Sequence, residues 1–160
     1  MEQNTVKIIY VKPLLGKEVT RICRYMYDLD VAGKIETCFW PEIEIELSDG
    51  TFLLYMPYPD GQSLHGNIST ASVFDEKENT RVILTDDSKW RVLENARIIG
   101  FERLHVLGPN EHTAGIKINF ANGNYLCYYN NADEPLILLN ELPPKMPDRP
   151  WELQLMASEK

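Results

Sequence analysis

The sequence predicts a mainly β protein, built from two antiparallel β-meander repeats that form a β-sandwich or a partly open barrel, with little helix. Three observations lead there. Glu42-Ile43-Glu44-Ile45-Glu46-Leu47 alternates acid and aliphatic residues with period two, the signature of a strand with one buried face. Ser48-Asp49-Gly50 follows, then Thr51-Phe52-Leu53-Leu54-Tyr55-Met56, so the strand turns back as a hairpin. The same layout returns in the second half as Ile116-Lys117-Ile118-Asn119-Phe120, Ala121-Asn122-Gly123 and Asn124-Tyr125-Leu126-Cys127-Tyr128-Tyr129.

In chain order, 6–11 reads as a first strand ended by Pro13. Residues 20–29 are β-rich but alternate imperfectly, which predicts a bulge or a bend. Gly33 begins a turn, and 35–40 climbs back to the organising hairpin past Pro41, a residue tolerated at a strand start or an edge. Pro57, Pro59, Asp60-Gly61 and Gly66 predict a surface loop over 57–72. Asp75-Glu76-Lys77-Glu78-Asn79 is a charged turn, 81–84 a short strand, and Asp86-Asp87-Ser88 another turn before Trp90.

From there 93–98 parallels 14–19, and Phe101 parallels Ile22. The expectation is one domain over 1–160 with an internal repeat, 14–58 and 93–131. Neither meander can cover its own apolar face, so each must cover the other. The tail, 135–160, carries prolines at 144, 147 and 150, a spacing that suits a polyproline II ligand. Trp151, Leu153 and Leu155 favour instead an extended arm anchored on the body.

A chain of 160 residues is long enough to bury a core without staples. Cys23, Cys38 and Cys127 lack metal-type spacing and read as reduced thiols, and the polar start followed by a short apolar run at 8–11 predicts no signal or membrane span. A cytoplasmic protein is expected. Net charge is −8, and residues 35–87 hold eleven acids against Lys77 and Arg81. Such a field repels phosphate backbones and anionic lipid and suits a basic protein partner, although it also serves solubility alone.

Chemistry is harder to find. Gly61-Gln62-Ser63-Leu64-His65 resembles a nucleophile elbow with His where the second Gly belongs, and it lacks the strand-turn-helix setting. His105 and His112 have no second ligand at metal spacing, and no glycine-rich run opens a helix to cradle phosphate. Asp86-Asp87 and Asp133-Glu134 are sequence neighbours that mark turns. The chain is therefore expected to be no enzyme, with no metal and no cofactor.

What remains is a surface. Glu42, Glu44 and Glu46 project from one side of a strand, where like charges oppose one another. One explanation is a gatekeeper against edge-to-edge aggregation. The other is a docking ridge. With two-residue hairpin loops Leu47 faces Phe52, Ile45 faces Leu54 and Ile43 faces Met56 inside the core, so Leu53 and Tyr55 share the outer face with the glutamates. A three-residue loop shifts the return strand by one and turns Leu53 and Tyr55 inward. Asp75 and Glu76 extend the acidic side, and Glu42, Glu44, Glu46, Leu53, Tyr55, Asp75 and Glu76 make up the expected partner-binding set.

The doubled pattern at 43–56 and 116–129, the strand-like segments 19–24 and 98–103, and the acidic middle together resemble the small acidic immunity proteins of bacterial contact-dependent growth inhibition and other polymorphic toxin systems. That resemblance implies a cytoplasmic, non-catalytic protein that blocks a cognate toxin, often a basic nuclease. Two other readings are a small-molecule barrel or minor enzyme with a pocket between the repeats near His105 or Tyr128, and a homodimer through a free strand edge.

Overall fold

A glycine at the end of each hairpin loop decides the register. Gly50 and Gly123 have φ of 85° and 87°, a region that side-chain-bearing residues avoid. The Leu47 N–H donates to the Thr51 carbonyl at 2.8 Å and the Gly50 N–H to the Leu47 carbonyl at 3.0 Å; Phe120, Asn124 and Gly123 repeat both bonds. Both loops therefore hold three residues, Ser48-Asp49-Gly50 and Ala121-Asn122-Gly123.

The structure is a computed structural model that describes residues 11–72, 74, 79–132 and 134–159. The expected first strand, apart from Val11, lies outside them. Among the described residues eleven strands form two antiparallel sheets, packed as a sandwich and not closed into a barrel. The first sheet contains β1 (Val19–Val31), β2 (Lys34–Phe39), β3 (Ile43–Leu47), β4 (Phe52–Pro57), β5 (Leu64–Ser69) and β6 (Thr80–Ile83). The second contains β7 (Ile98–Val106), β8 (His112–Phe120), β9 (Tyr125–Asn131), β10 (Glu134–Leu139) and β11 (Trp151–Ser158), ordered β10-β9-β8-β7-β11. Among the described residues helix is limited to short 3-10 turns at Lys12–Leu14, Leu84–Asp86 and Trp90–Leu93.

β1 is long enough to take several partners. β3 pairs with its first half, from Val19↔Leu47 to Cys23↔Glu44, and β2 with its second, from Met26↔Phe39 to Val31↔Lys34. Between them the Trp40 N–H donates to the Tyr25 carbonyl at 2.9 Å, so β2 and β3 follow one another along one edge of β1, interrupted at Pro41. β6 pairs with Cys23 to Met26. A register shift between Val19 and Arg21 falls at the start of the stretch 20–29, where a bulge or a bend was expected.

The two sheets meet where the meanders begin. The Gly16 N–H donates to Ile98 at 2.8 Å and the Asn95 N–H to Val19 at 2.7 Å, while Ile98 donates to Lys17 and Val19 to Ala96. Residues 16, 17 and 19 thus bond as 95, 96 and 98 do, around an antiparallel bridge of Glu18 and Arg97. The core between the sheets includes Ile22, Ile43, Ile45, Leu47 and Leu53 from the first and Phe101, Ile116, Ile118, Phe120, Leu126 and Tyr128 from the second. Successive side chains of a strand face opposite ways. Cys127 and Tyr129 therefore join Leu104, Val106, Ala114 and Trp151 in a second cluster on the other face of the second sheet.

Two expectations change. The stretch 57–72 contains β5, which pairs with β4 from Phe52↔Ser69 to Pro57↔Leu64. Its turn formers belong to a short hairpin loop, in which the Asp60 carboxylate accepts from the N–H groups of Gln62 and Ser63 at 2.9 and 2.8 Å. The tail lies extended on the body, held by main-chain pairing as well as by side chains: β10 extends β9 and β11 pairs with β7. Trp151 is 4% exposed, as an anchor should be, whereas Leu155 is 68% exposed and anchors nothing.

Candidate functional site

The three-residue loop removes the expected ridge. Ile45 pairs with Leu53 and Ile43 with Tyr55, so Leu53 and Tyr55 point into the core at 0% and 2% exposure. Neither can meet a partner. Glu44 is 3% exposed and accepts from the Tyr25 hydroxyl and the Ser72 hydroxyl, each at 3.0 Å. The Phe74 ring stacks on Tyr25 with centroids 4.0 Å apart, so residues after β5 cover this carboxylate. Glu46 is ion-paired with Arg21. Glu42 is half-buried toward Arg24 and Tyr128, and burial raises its pKa. Asp75 and Glu76 lie outside the described residues.

The exposed surface with both charge and apolar area lies elsewhere. β1 and β2 continue beyond Met26 as a two-stranded ribbon, closed by Ala32 and Gly33 with φ of 52° and 82°, two left-handed residues in the turn that suits a tight hairpin. One of its faces carries Tyr27, Leu29 and Val31 beside Cys38, Glu36 and Lys34. The other carries Met26, Asp28 and Asp30 beside Phe39, Thr37 and Ile35. Leu29 (45%), Val31 (44%), Ile35 (73%), Phe39 (46%) and Trp40 (37%) are five of the eleven large apolar residues exposed among the described residues. Scattered exposed apolar side chains are ordinary, but a cluster flanked by charge marks an interaction site.

The root of this ribbon is built stiffly. The Arg24 guanidinium lies 4.4 Å from the Phe39 ring centroid and donates to the Trp40 carbonyl at 3.2 Å. Tyr27 and Trp40 rings sit 4.4 Å apart, and the Trp40 indole N–H donates to Asn79 at 2.7 Å. Tyr128, from the second sheet, donates its hydroxyl to the Pro41 carbonyl at 2.7 Å. Its burial holds the phenol well above the usual range, so it remains a donor. Near the middle, the Thr37 hydroxyl donates to Asp28 at 3.1 Å.

No protein-family model, curated protein or solved structure matches this chain. Its chemistry must be read from its own side chains. The cavity lined by Val11, Tyr55, Leu64 and Ile116 amounts to ≈ 10 Å³, about the room one water needs. A surface concavity of ≈ 300 Å³ near Gln62, His112 and Arg149 is crossed by Arg149. That guanidinium donates to the Asn130 and Gln62 carbonyls, both at 3.1 Å, and meets His112 Nε2 at 3.2 Å, which ties three segments together. His105 lies 3.6 Å from Glu111, and His65 stands beside Tyr58. Among the described residues no three His, Cys, Asp or Glu side chains gather to hold a metal, and no helix is long and apolar enough to cross a membrane.

The ribbon was not among the expected site residues, although a signal existed. Tyr27-Asp28-Leu29-Asp30-Val31 alternates as strictly as the glutamate strand. Asp28 and Asp30 stand in a stretch, 1–34, whose six bases outnumber its four acids, so its net charge conceals them.

Proposed function

We propose that this chain is an immunity-type binding protein, which captures and neutralises a cognate basic protein toxin in the cytoplasm without catalysis of its own. The observation that carries this is the ribbon: five exposed apolar side chains interleaved with Asp28, Asp30 and Glu36, on an element with both faces in water. Apolar and aromatic groups supply the contact that lasts after desolvation, and the acids steer a basic partner during approach. A nuclease toxin fits this charge, because a surface that binds phosphate backbones is itself basic. The small size of the cavity between the sheets, ≈ 10 Å³ among the described residues, favours this reading over a small-molecule site there.

Co-expression with the adjacent reading frames tests it. A neighbour that arrests growth alone, is relieved by this protein and co-purifies with it is the expected result. Leu29→Ser with Ile35→Ser should speed dissociation. Asp28→Lys with Asp30→Lys should slow association about tenfold at low salt and much less at high salt. Neighbours that are harmless and do not bind, or a complex indifferent to all four substitutions, would remove the proposal.

A further inference from the structure

Resting on that reading, we infer that the outer edge of β2 is a strand-addition site, which takes an extended partner segment of alternating apolar and basic residues. In an antiparallel ladder successive residues send their N–H and C=O groups to opposite edges. The Trp40 N–H bonds to β1, so Cys38, Glu36 and Lys34 also spend their main-chain groups there. Ile35, Thr37 and Phe39 therefore direct theirs outward, along an edge that no strand occupies among the described residues. Free edges are ordinarily blunted by proline, bulges or cover. β2 contains no proline, its register with β1 is unbroken, and every residue from Lys34 to Thr37 is exposed.

The side chains along this edge define the occupant. A strand added beside β2 places every second residue next to Ile35, Thr37 and Phe39, where apolar groups cover exposed carbon. The intervening residues lie next to Glu36 and Cys38, where a lysine or arginine meets the Glu36 carboxylate, while Asp28 and Asp30, on the face of Ile35 and Thr37, add negative charge on the other side of the ribbon. A second copy of this chain meets the same backbone edge but opposes one net charge of −8 with another and brings no excess of bases. Charge complementarity selects a basic segment.

The test uses the isotope-labelled full chain and an end-capped heptapeptide of alternating valine and lysine. The expected result is shifts and slowed exchange at the amides of Ile35, Thr37 and Phe39, with those of Glu36 and Cys38 protected throughout. Thr37→Pro, which removes an outward N–H together with the hydroxyl bond to Asp28, should weaken binding about tenfold or more, and Thr37→Val, which removes the hydroxyl alone, should leave it within about twofold. Replacing the peptide's lysines by glutamates, or N-methylating its alternate residues, should abolish binding without altering the protein. Absence of shifts, indifference to N-methylation, or the same shifts appearing with protein concentration alone, as for a second copy, would each overturn the inference. A toxin still neutralised by a folded Thr37→Pro chain would leave the immunity reading standing and remove this edge from it. Peptide binding in a chain that relieves no toxin would do the reverse.

Discussion

The hydroxyl of Tyr128 and the carbonyl of Pro41 meet at 2.7 Å, the point where the second sheet grips the root of the ribbon. Pro41 interrupts the run from β2 to β3, and Tyr128 stands in the inter-sheet core, with its ring 6.3 Å from that of Tyr55. Orientation of the exposed ribbon is thus set from the buried side.

Tyr128→Phe tests this coupling. The ring stays packed and a part-buried carbonyl loses its donor, so stability should fall by about 1 kcal/mol in urea unfolding. Amide exchange should accelerate in β2 at the same time. A loss of stability with unchanged exchange there would mean that the bond supports the core and not the ribbon.

Glu44 is a structural carboxylate. Glu44→Lys should cost about 3–5 kcal/mol, because a cation replaces an anion under Ser72 and Phe74 beside the Tyr25 hydroxyl. Thermal unfolding would read this directly. The equivalent reversal at the exposed Glu36 should stay within about 0.5 kcal/mol.

Acid lability should trace in part to Asp49. The ammonium of Lys17 and the hydroxyl and amide of Thr51 hold its carboxyl well below the usual carboxylate range. A group whose pKa is lowered by folding contributes stability above its unfolded value, and the contribution disappears as pH falls through the folded one. Asp49 is 41% exposed on its side chain, so solvent screens the pair and its worth stays below about 1 kcal/mol. Stability measured at neutral pH and below about pH 4 should therefore differ less in Asp49→Asn than in the unaltered chain.

Thiol chemistry should single out the ribbon. Burial pushes Cys23 up to about 11 and Cys127 up to about 12, so neither forms appreciable thiolate near neutrality. Cys38 is half-exposed on the ribbon. Brief alkylation of the native chain at about pH 8 should label Cys38 alone by peptide mass, and urea should expose all three. Rapid labelling of Cys127 in the native chain would mean that the cluster beneath Trp151 is open.

The hairpins at 43–56 and 116–129 were legible because alternation and an Asp-Gly or Asn-Gly step are local properties. Strand β5 was not legible, since Pro57, Pro59 and Gly61 just before it and Gly66 within it mask a strand whose stability comes from its ladder with β4. The expected ridge failed at one residue of loop length. With Gly50 in the left-handed region the loop holds three residues, and every side chain of the return strand changes face.

By itself the sequence determined a mainly β chain of antiparallel hairpins with a net charge of −8, without choosing between a sandwich and a partly open barrel, because strand periodicity and net charge need no knowledge of neighbours. Only the tertiary structure decided which acids reach solvent. Pairing and packing buried Glu44, Leu53 and Tyr55 and left Asp28, Asp30 and Glu36 exposed on a ribbon that no described residue covers. The physical reason is that exposure is a property of what covers a side chain, and the residues that cover Glu44, Ser72 and Phe74, come from beyond β5 in the chain.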